Sequence, residues 1–255
     1  MMNNTLINGL RLLELLARAD APMGITELAQ SLSLVKSNVH RLLQALIDLG
    51  YVRQLSEDKR YCASIRLWEM GSAVLAQIDL KRVAQPQMLQ LQAMTGEAAH
   101  LSVLDVNEAV YVHKIDSDMP VRAYSEIGGR APAHCVATGK ALLAWQGETV
   151  LRKFSHSLPR HTSRTLKDAR AFMREMERIR TQGYALNRGE WREGVGGVAA
   201  PIRGGHGQAI AAIGVSGPLS RLSLARMRTL APMVAQAAAA ISEELSPSTV
   251  PLRLW

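Results

Sequence analysis

The chain has 255 residues, 47% of them hydrophobic and 20% charged, with a formal net charge of +8, a balance that excludes disorder and collagen and leaves room for two modest domains. Its two cysteines, Cys62 and Cys135, exclude a disulfide framework, and no apolar run reaches the roughly 18 to 20 residues that span a bilayer. Together with an N-terminus that enters an amphipathic pattern without an export-type segment, this predicts a cytoplasmic protein with no membrane partner.

The charge is unevenly spread. Over residues 1 to 80 eight bases are matched by eight carboxylates, so the excess belongs to the rest of the chain. Much of it lies between Arg152 and Arg180 and reads as a solvated helix face with a flanking loop.

Leu6, Leu10, Leu13, Leu16 and Ala17 recur at helical spacing and predict a first helix over 5–19, ended by Asp20-Ala21-Pro22. Gly24-Ile25-Thr26-Glu27 opens a short second helix. Val35, Val39, Leu42, Leu43, Leu46 and Ile47 line a third, which Gly50 stops as a left-handed cap. The period then changes. Residues 51–55 and 60–63 predict strands around the polar turn 56–59. Three short helices and a hairpin are the order of a winged helix-turn-helix, whose third helix enters the major groove; plain protein-interaction modules share that order.

Opposite the third helix's apolar stripe lie Lys36, Ser37, Asn38, His40, Arg41 and Gln44, with no carboxylate before Asp48. Such a face suits phosphates and base edges. Lys36, Ser37 and Arg41 are the expected phosphate or groove contacts; Asn38, His40 and Gln44 are the expected base readers, with a plain exposed imidazole as the other reading of His40. Thr26, Lys59 and Arg60 complete the candidate DNA-binding set.

Residues 64–96 read as helical, the first part as a linker. Strands are predicted over 99–104 and 109–115, and again over 197–202 and 208–216 across Gly204-Gly205-His206-Gly207. Helices are predicted at 138–145, 168–181 and 221–244. An antiparallel sheet flanked by helices makes the second domain α+β. The predicted organisation is a DNA-binding domain over 1–63, a linker helix over 64–79, an effector-binding and oligomerisation domain over 80–246 and a tail over 247–255.

With these elements in place, the chain resembles an IclR-type transcriptional regulator over nearly its whole length. Gly9 to Leu16, Ile25-Thr26-Glu27-Leu28-Ala29, Lys36 to Leu43 and Leu49-Gly50-Tyr51 carry the resemblance in the first domain. In the second it rests on 80–96, Pro132-Ala133-His134 leading to Thr138-Gly139-Lys140-Ala141-Leu142-Leu143-Ala144, Gly194-Val195, Ala199-Ala200-Pro201-Ile202 and Val215-Ser216-Gly217-Pro218. The resemblance implies a GAF-like effector domain, a homodimer or homotetramer, palindromic operator DNA as partner and a small organic-acid effector. A repressor of a catabolic operon is favoured.

The expected effector site comprises His134, Cys135, Ala137, Thr138, Gly139, Glu190, Trp191, Gly197, Gly214 and Ser216. Thr138-Gly139-Lys140 opens a helix whose free amides and positive end suit a carboxylate; the same residues also read as an ordinary capped start. Ser216 reads as a ligand hydroxyl or a turn serine, and Trp191 as a cavity wall or interior packing. Where relatives carry Cys after Gly-Val-Arg, this chain has Gly196-Gly197, and Gly214 replaces the first Ser of Ser-x-Ser-Gly-Pro. Those losses are expected to leave room for a sugar-derived or aromatic acid rather than a very small keto acid.

Rival readings are weaker. His134 and Cys135 on an extended strand would point apart, which opposes a thiolate and base pair. His100, His113, His134, His156 and His161 are scattered in sequence, so no metal site is expected, nor any cofactor. No enzyme is expected. A ligand-binding or interaction module without specific DNA binding stays open because the first third is neutral.

Overall fold

The computed structural model describes residues 4–56, 58–76, 80–123, 125–204 and 207–245. The expected tail at 247–255, the end of the expected linker at 77–79, Glu57 of the wing turn and Gly205-His206 lie outside them. The chain divides into two compact units, Met1–Gln77 and Ile78–Trp255.

In the first unit α1 (Asn4–Arg18), α2 (Ile25–Leu32) and α3 (Lys36–Asp48) precede a hairpin of β1 (Val52–Gln54) and β2 (Tyr61–Ala63). Leu12 and Leu16 of α1, Leu28 of α2 and Val39, Leu42 and Leu43 of α3 bury their side chains together with Val52 and Tyr61. Each helix places these at 3.6-residue spacing, so their apolar stripes face one another in one core. Gly50 holds φ +78°, the conformation that ends a helix sharply. Backbone bonds between Met23 and Tyr61 at 2.8 and 2.9 Å tie the hairpin to the start of α2. The helix expected as linker is α4 (Ile65–Ala76), which groups with this unit.

The second unit opens with α5 (Leu80–Thr95) and builds a six-stranded antiparallel sheet. Its strands are β3 (Ala98–Asp105), β4 (Glu108–Ile115), β5 (Arg130–Pro132), β6 (Ala185–Arg188), β7 (Val195–Arg203) and β8 (Ala209–Pro218), in the order β5-β4-β3-β8-β7-β6. Helices α6 (Ala137–Leu143), α7 (Glu148–Ser155), α8 (Ala169–Gln182) and α9 (Leu224–Leu245) complete it.

Strand alternation sorts the two faces. Leu101, Val198, Ala200, Ile213 and Val215 pack with α5 and α9. The other face carries His100, Ser102, Gly197, Ala199, Ala212 and Gly214, small or polar side chains over which α6 lies. That run of small residues is why both faces are buried in a sheet whose strands all run antiparallel.

Two strands, one helix and the 3-10 turn Ala133–Cys135 escaped the sequence reading. Strands β5 and β6 have three and four residues, too short to show a period. Helix α7 lies within the arginine-rich stretch, where an i,i+4 pair, Arg152 with Glu148 at 2.6 Å, supports it. Among the described residues no helix is long and apolar enough to cross a membrane.

Candidate functional site

On α3 the polar face stands clear of the core: Lys36, Ser37, His40, Arg41 and Gln44 are exposed and Asn38 half-buried. The Arg41 guanidinium donates to Asn38 Oδ1 at 3.2 Å, so two candidate contacts hold one another in a single orientation. Thr26 is exposed near the start of α2, and Lys59 is exposed at the wing turn with φ +57°.

Arg60 is placed differently. Its Nε donates to the Pro22 carbonyl at 2.7 Å and its Nη2 to both Glu27 carboxylate oxygens at 2.6 and 2.8 Å. The guanidinium thus braces the wing against α2 while its side chain stays 39% exposed. The Glu27 carboxyl is held below its ordinary value, first by its bond from the Gly24 amide and then by Arg60.

In the second unit a cavity of about 540 Å³, part of it open to solvent, lies between the sheet and the first residues of α6. Ala137, Thr138, Trp191, Gly197, Gly214 and Ser216 line it, as does Val136 at the start of α6. His100 and Tyr111, from β3 and β4, form its polar and aromatic floor with rings 5.2 Å apart. His100 Nε2 meets Ser216 Oγ at 2.8 Å and its Nδ1 lies 3.5 Å from Ser125 Oγ. Burial pushes His100 down to about 4 and Tyr111 up to about 12, so both are neutral at neutral pH.

Trp191 packs its indole against Tyr111, Ala109 and Val136, while the Arg192 guanidinium lies 4.3 Å over that indole. Asn187 accepts from the amides of Gly189 and Glu190 at 3.0 Å each, which fixes the turn presenting Trp191. Among the described lining residues Arg192 is the charged one and no carboxylate appears.

Residues 5–56 match the IclR helix-turn-helix domain, and residues 72–243 match the bacterial transcriptional regulator IclR C-terminal domain. The chain belongs to the IclR family. It is 37% identical to the HTH-type transcriptional regulator KdgR of Escherichia coli over 225 residues, 88% of this chain and 86% of that one. It is 32% identical to the transcriptional repressor IclR of Escherichia coli over 238 residues, 92% and 87% of the two chains. An IclR homologue from Microbacterium hydrocarbonoxydans complexed with 4-hydroxybenzoate superimposes with a TM-score of 0.82 at 26% identity, covering 96% of this chain and all of that one. This IclR-family chain is thus a DNA-binding transcriptional regulator rather than an enzyme.

Four residues expected at the effector site do not line this cavity. Ala133–Cys135 coils into a 3-10 turn instead of an extended strand, which carries His134 to the Pro159 carbonyl at 3.0 Å and buries Cys135 completely. Gly139 faces the backbone of Ala133, whose oxygen a Cβ would approach to 2.4 Å. Glu190 is held by the fully buried Lys140 at 2.5 Å, and Glu175 lies 3.4 Å from the same ammonium. Thr138 does reach the cavity but does not cap α6: Val136 is the N-cap, and the Thr138 hydroxyl bonds Ser102 Oγ at 3.1 Å.

The expectation that glycines enlarge the cavity also needs correcting. A Cβ at Gly214 would stand 2.4 Å from the Val198 oxygen and 2.6 Å from Ala199 Cβ, and one at Gly197 would stand 2.9 Å from the Val215 oxygen. Close strand approach has consumed that space. His100, Tyr111, Ser125, Asn187 and Arg192 were missed as lining residues. Alternation along β4 marks Tyr111 as buried, but His100 reaches the cavity only because β3 pairs with β8.

Proposed function

We propose that this IclR-family regulator is a repressor of a catabolic operon, acting as a homodimer or homotetramer on palindromic operator DNA under control of a small organic-acid effector. The observation that carries the effector half is the cavity itself: aromatic walls from Tyr111 and Trp191, neutral hydrogen-bonding groups from His100, Ser125, Thr138 and Ser216, and one cation, Arg192, with no carboxylate among the described lining residues. An acid with an apolar or hydroxylated body suits such a lining. The Microbacterium homologue holds an aromatic hydroxy acid, which supports an aromatic or sugar-derived acid here.

The DNA half rests on the exposed, carboxylate-free face of α3, with Lys36, Ser37, Asn38, His40, Arg41, Gln44, Thr26 and Lys59 as its contacts. Exposed Leu6, Leu10, Ile65 and Trp68 on the same unit would support self-association where they form a contiguous apolar patch. Effector binding shifts a population between arrangements of the oligomer that fit the half-site spacing and arrangements that do not.

Fluorescence anisotropy on the DNA upstream of the chain's own gene, at fixed salt and with a panel of sugar, keto and aromatic acids, tests this. Saturable, competitor-resistant binding that one acid weakens is the expected result. Equal affinity for random DNA, with or without acids, would instead favour a ligand-binding module that does not read DNA.

A further inference from the structure

We propose that His134, Cys135 and His161 form a binding site for a borderline-soft divalent metal ion of the zinc class, separate from the effector cavity. One donor atom from each of the three, an imidazole nitrogen or the sulfur, lies within 4.8 Å of the others. In a tetrahedral zinc site donors stand roughly 3.4 to 3.6 Å apart, from Zn–N near 2.0–2.1 Å and Zn–S near 2.3 Å. The cluster therefore needs a contraction of about 1 Å, and His161, exposed on the loop between α7 and α8, is the member able to supply it.

His134 presents a free donor nitrogen, whereas burial holds the Cys135 thiol up to about 12, so the ion itself must displace the thiol proton. The Pro159 carbonyl can only accept, so His134 Nε2 carries the proton at 3.0 Å and Nδ1 keeps its lone pair. A backbone carbonyl on the outer ring nitrogen is the usual way a ligating imidazole is oriented. Cys135 supplies sulfur from a buried position; its thiol proton passes to solvent as the ion takes the sulfur. Two nitrogens and one sulfur select zinc-like ions over magnesium or calcium, and leave a fourth position open.

The site sits where an ion could be felt by the cavity. Cys135 is two residues before Ala137, which lines it. Next to His161, the Thr162 and Thr165 hydroxyls donate to the Gly189 and Glu190 carbonyls at 2.7 and 2.6 Å, holding the backbone that presents Trp191. An ion drawing His161 toward Cys135 tightens both supports.

The test is a cobalt titration of the reduced, chelator-stripped full chain. The expected result is a one-to-one, saturable signal with thiolate-to-cobalt charge transfer in the near ultraviolet and tetrahedral bands in the visible, displaced by Zn²⁺. Cys135→Ser should abolish the charge transfer and Cys62→Ser should leave it. Exposed His161→Gln, which gives up a ring contact with His134 at 6.0 Å between centroids, should weaken binding at least tenfold, as loss of even an outer partner costs about 10-fold or more. A non-saturable signal, a charge transfer that survives Cys135→Ser, or an unchanged affinity in His161→Gln would each overturn the site.

Discussion

His100 and Ser216 meet at 2.8 Å across adjacent strands on the cavity wall, although 116 residues separate them in the chain. The pairing of β3 with β8 sets Ser216 opposite Ala98 and His100 opposite Gly214, so a neutral imidazole and a hydroxyl present themselves side by side to the cavity. A hydrogen bond of this kind is worth about 0.5 to 1.5 kcal/mol net. Ser216→Ala should therefore weaken the effector's influence on DNA binding by roughly 2- to 12-fold while leaving effector-free DNA affinity within about twofold. Loss of DNA affinity without effector would refute this division.

The same histidine predicts a pH dependence. Its folded value of about 4 lies below the ordinary 6.5, so below pH 6.5 the unfolded chain takes up a proton that the folded chain refuses. Stability is fully present above pH 6.5 and declines as pH falls toward 4, by an amount on the order of 3 kcal/mol. His113 and His134, also lowered first by burial, act in the same direction. Urea midpoints measured between pH 7.5 and 4.5 should fall with pH, and His100→Gln should flatten part of that slope.

Lys140 is fully buried with Glu190 and Glu175 as partners, and Arg178 closes the group on Glu175 at 2.6 Å. Lys140→Met strands buried carboxylate charge and should destabilise by about 3 to 5 kcal/mol, lowering the melting temperature by roughly 6 to 20 °C. Adding Glu190→Gln to that variant should recover part of the loss, because it removes the stranded charge. A double variant no better than the single would sink the pairing argument.

Two glycines should respond with opposite sign. Gly214→Ala forces a methyl to within 2.4 Å of the Val198 oxygen and should cost about 1 to 3 kcal/mol. Gly71, exposed within α4, has nothing within 4 Å of its added Cβ, so Gly71→Ala should stabilise by up to about 1 kcal/mol through helix propensity. Chemical denaturation of both variants decides the matter.

On α3, Arg41 and Asn38 share a hydrogen bond, so their effects on DNA binding should not add. Asn38→Ala should relax sequence preference, whereas Lys36→Ala should weaken all sequences and flatten the salt slope by about one. The double variant Asn38→Ala with Arg41→Ala should lose less than the sum of the singles. Strict additivity would show that the pair separates on DNA.

Much of this fold was legible in the chain. Apolar side chains at helical spacing announced α1 to α3, Gly50 announced where α3 stops, and short apolar runs bounded by turn residues announced β3, β4, β7 and β8, because those signals depend only on near neighbours. The carboxylate-free face of α3 was equally visible, since burial of its opposite stripe leaves it no other orientation.

What the tertiary structure decided is the partnership of distant groups. Arg60 read from the sequence as a wing arginine alone; only the fold gave it Glu27 and the Pro22 carbonyl, far away in sequence, as partners. Lys140 looked like an ordinary helix lysine until Glu190 and Glu175 enclosed it. His134 and His161 looked scattered, and the adjacent His134 and Cys135 looked turned apart, because a 3-10 turn and a long loop, neither with a readable period, bring the three donors together. Strand order β5-β4-β3-β8-β7-β6 placed His100 beside Ser216 and closed the space at Gly214. Local periodicity specifies which face of an element is apolar; which elements share that face is settled only by the summed packing of the whole core.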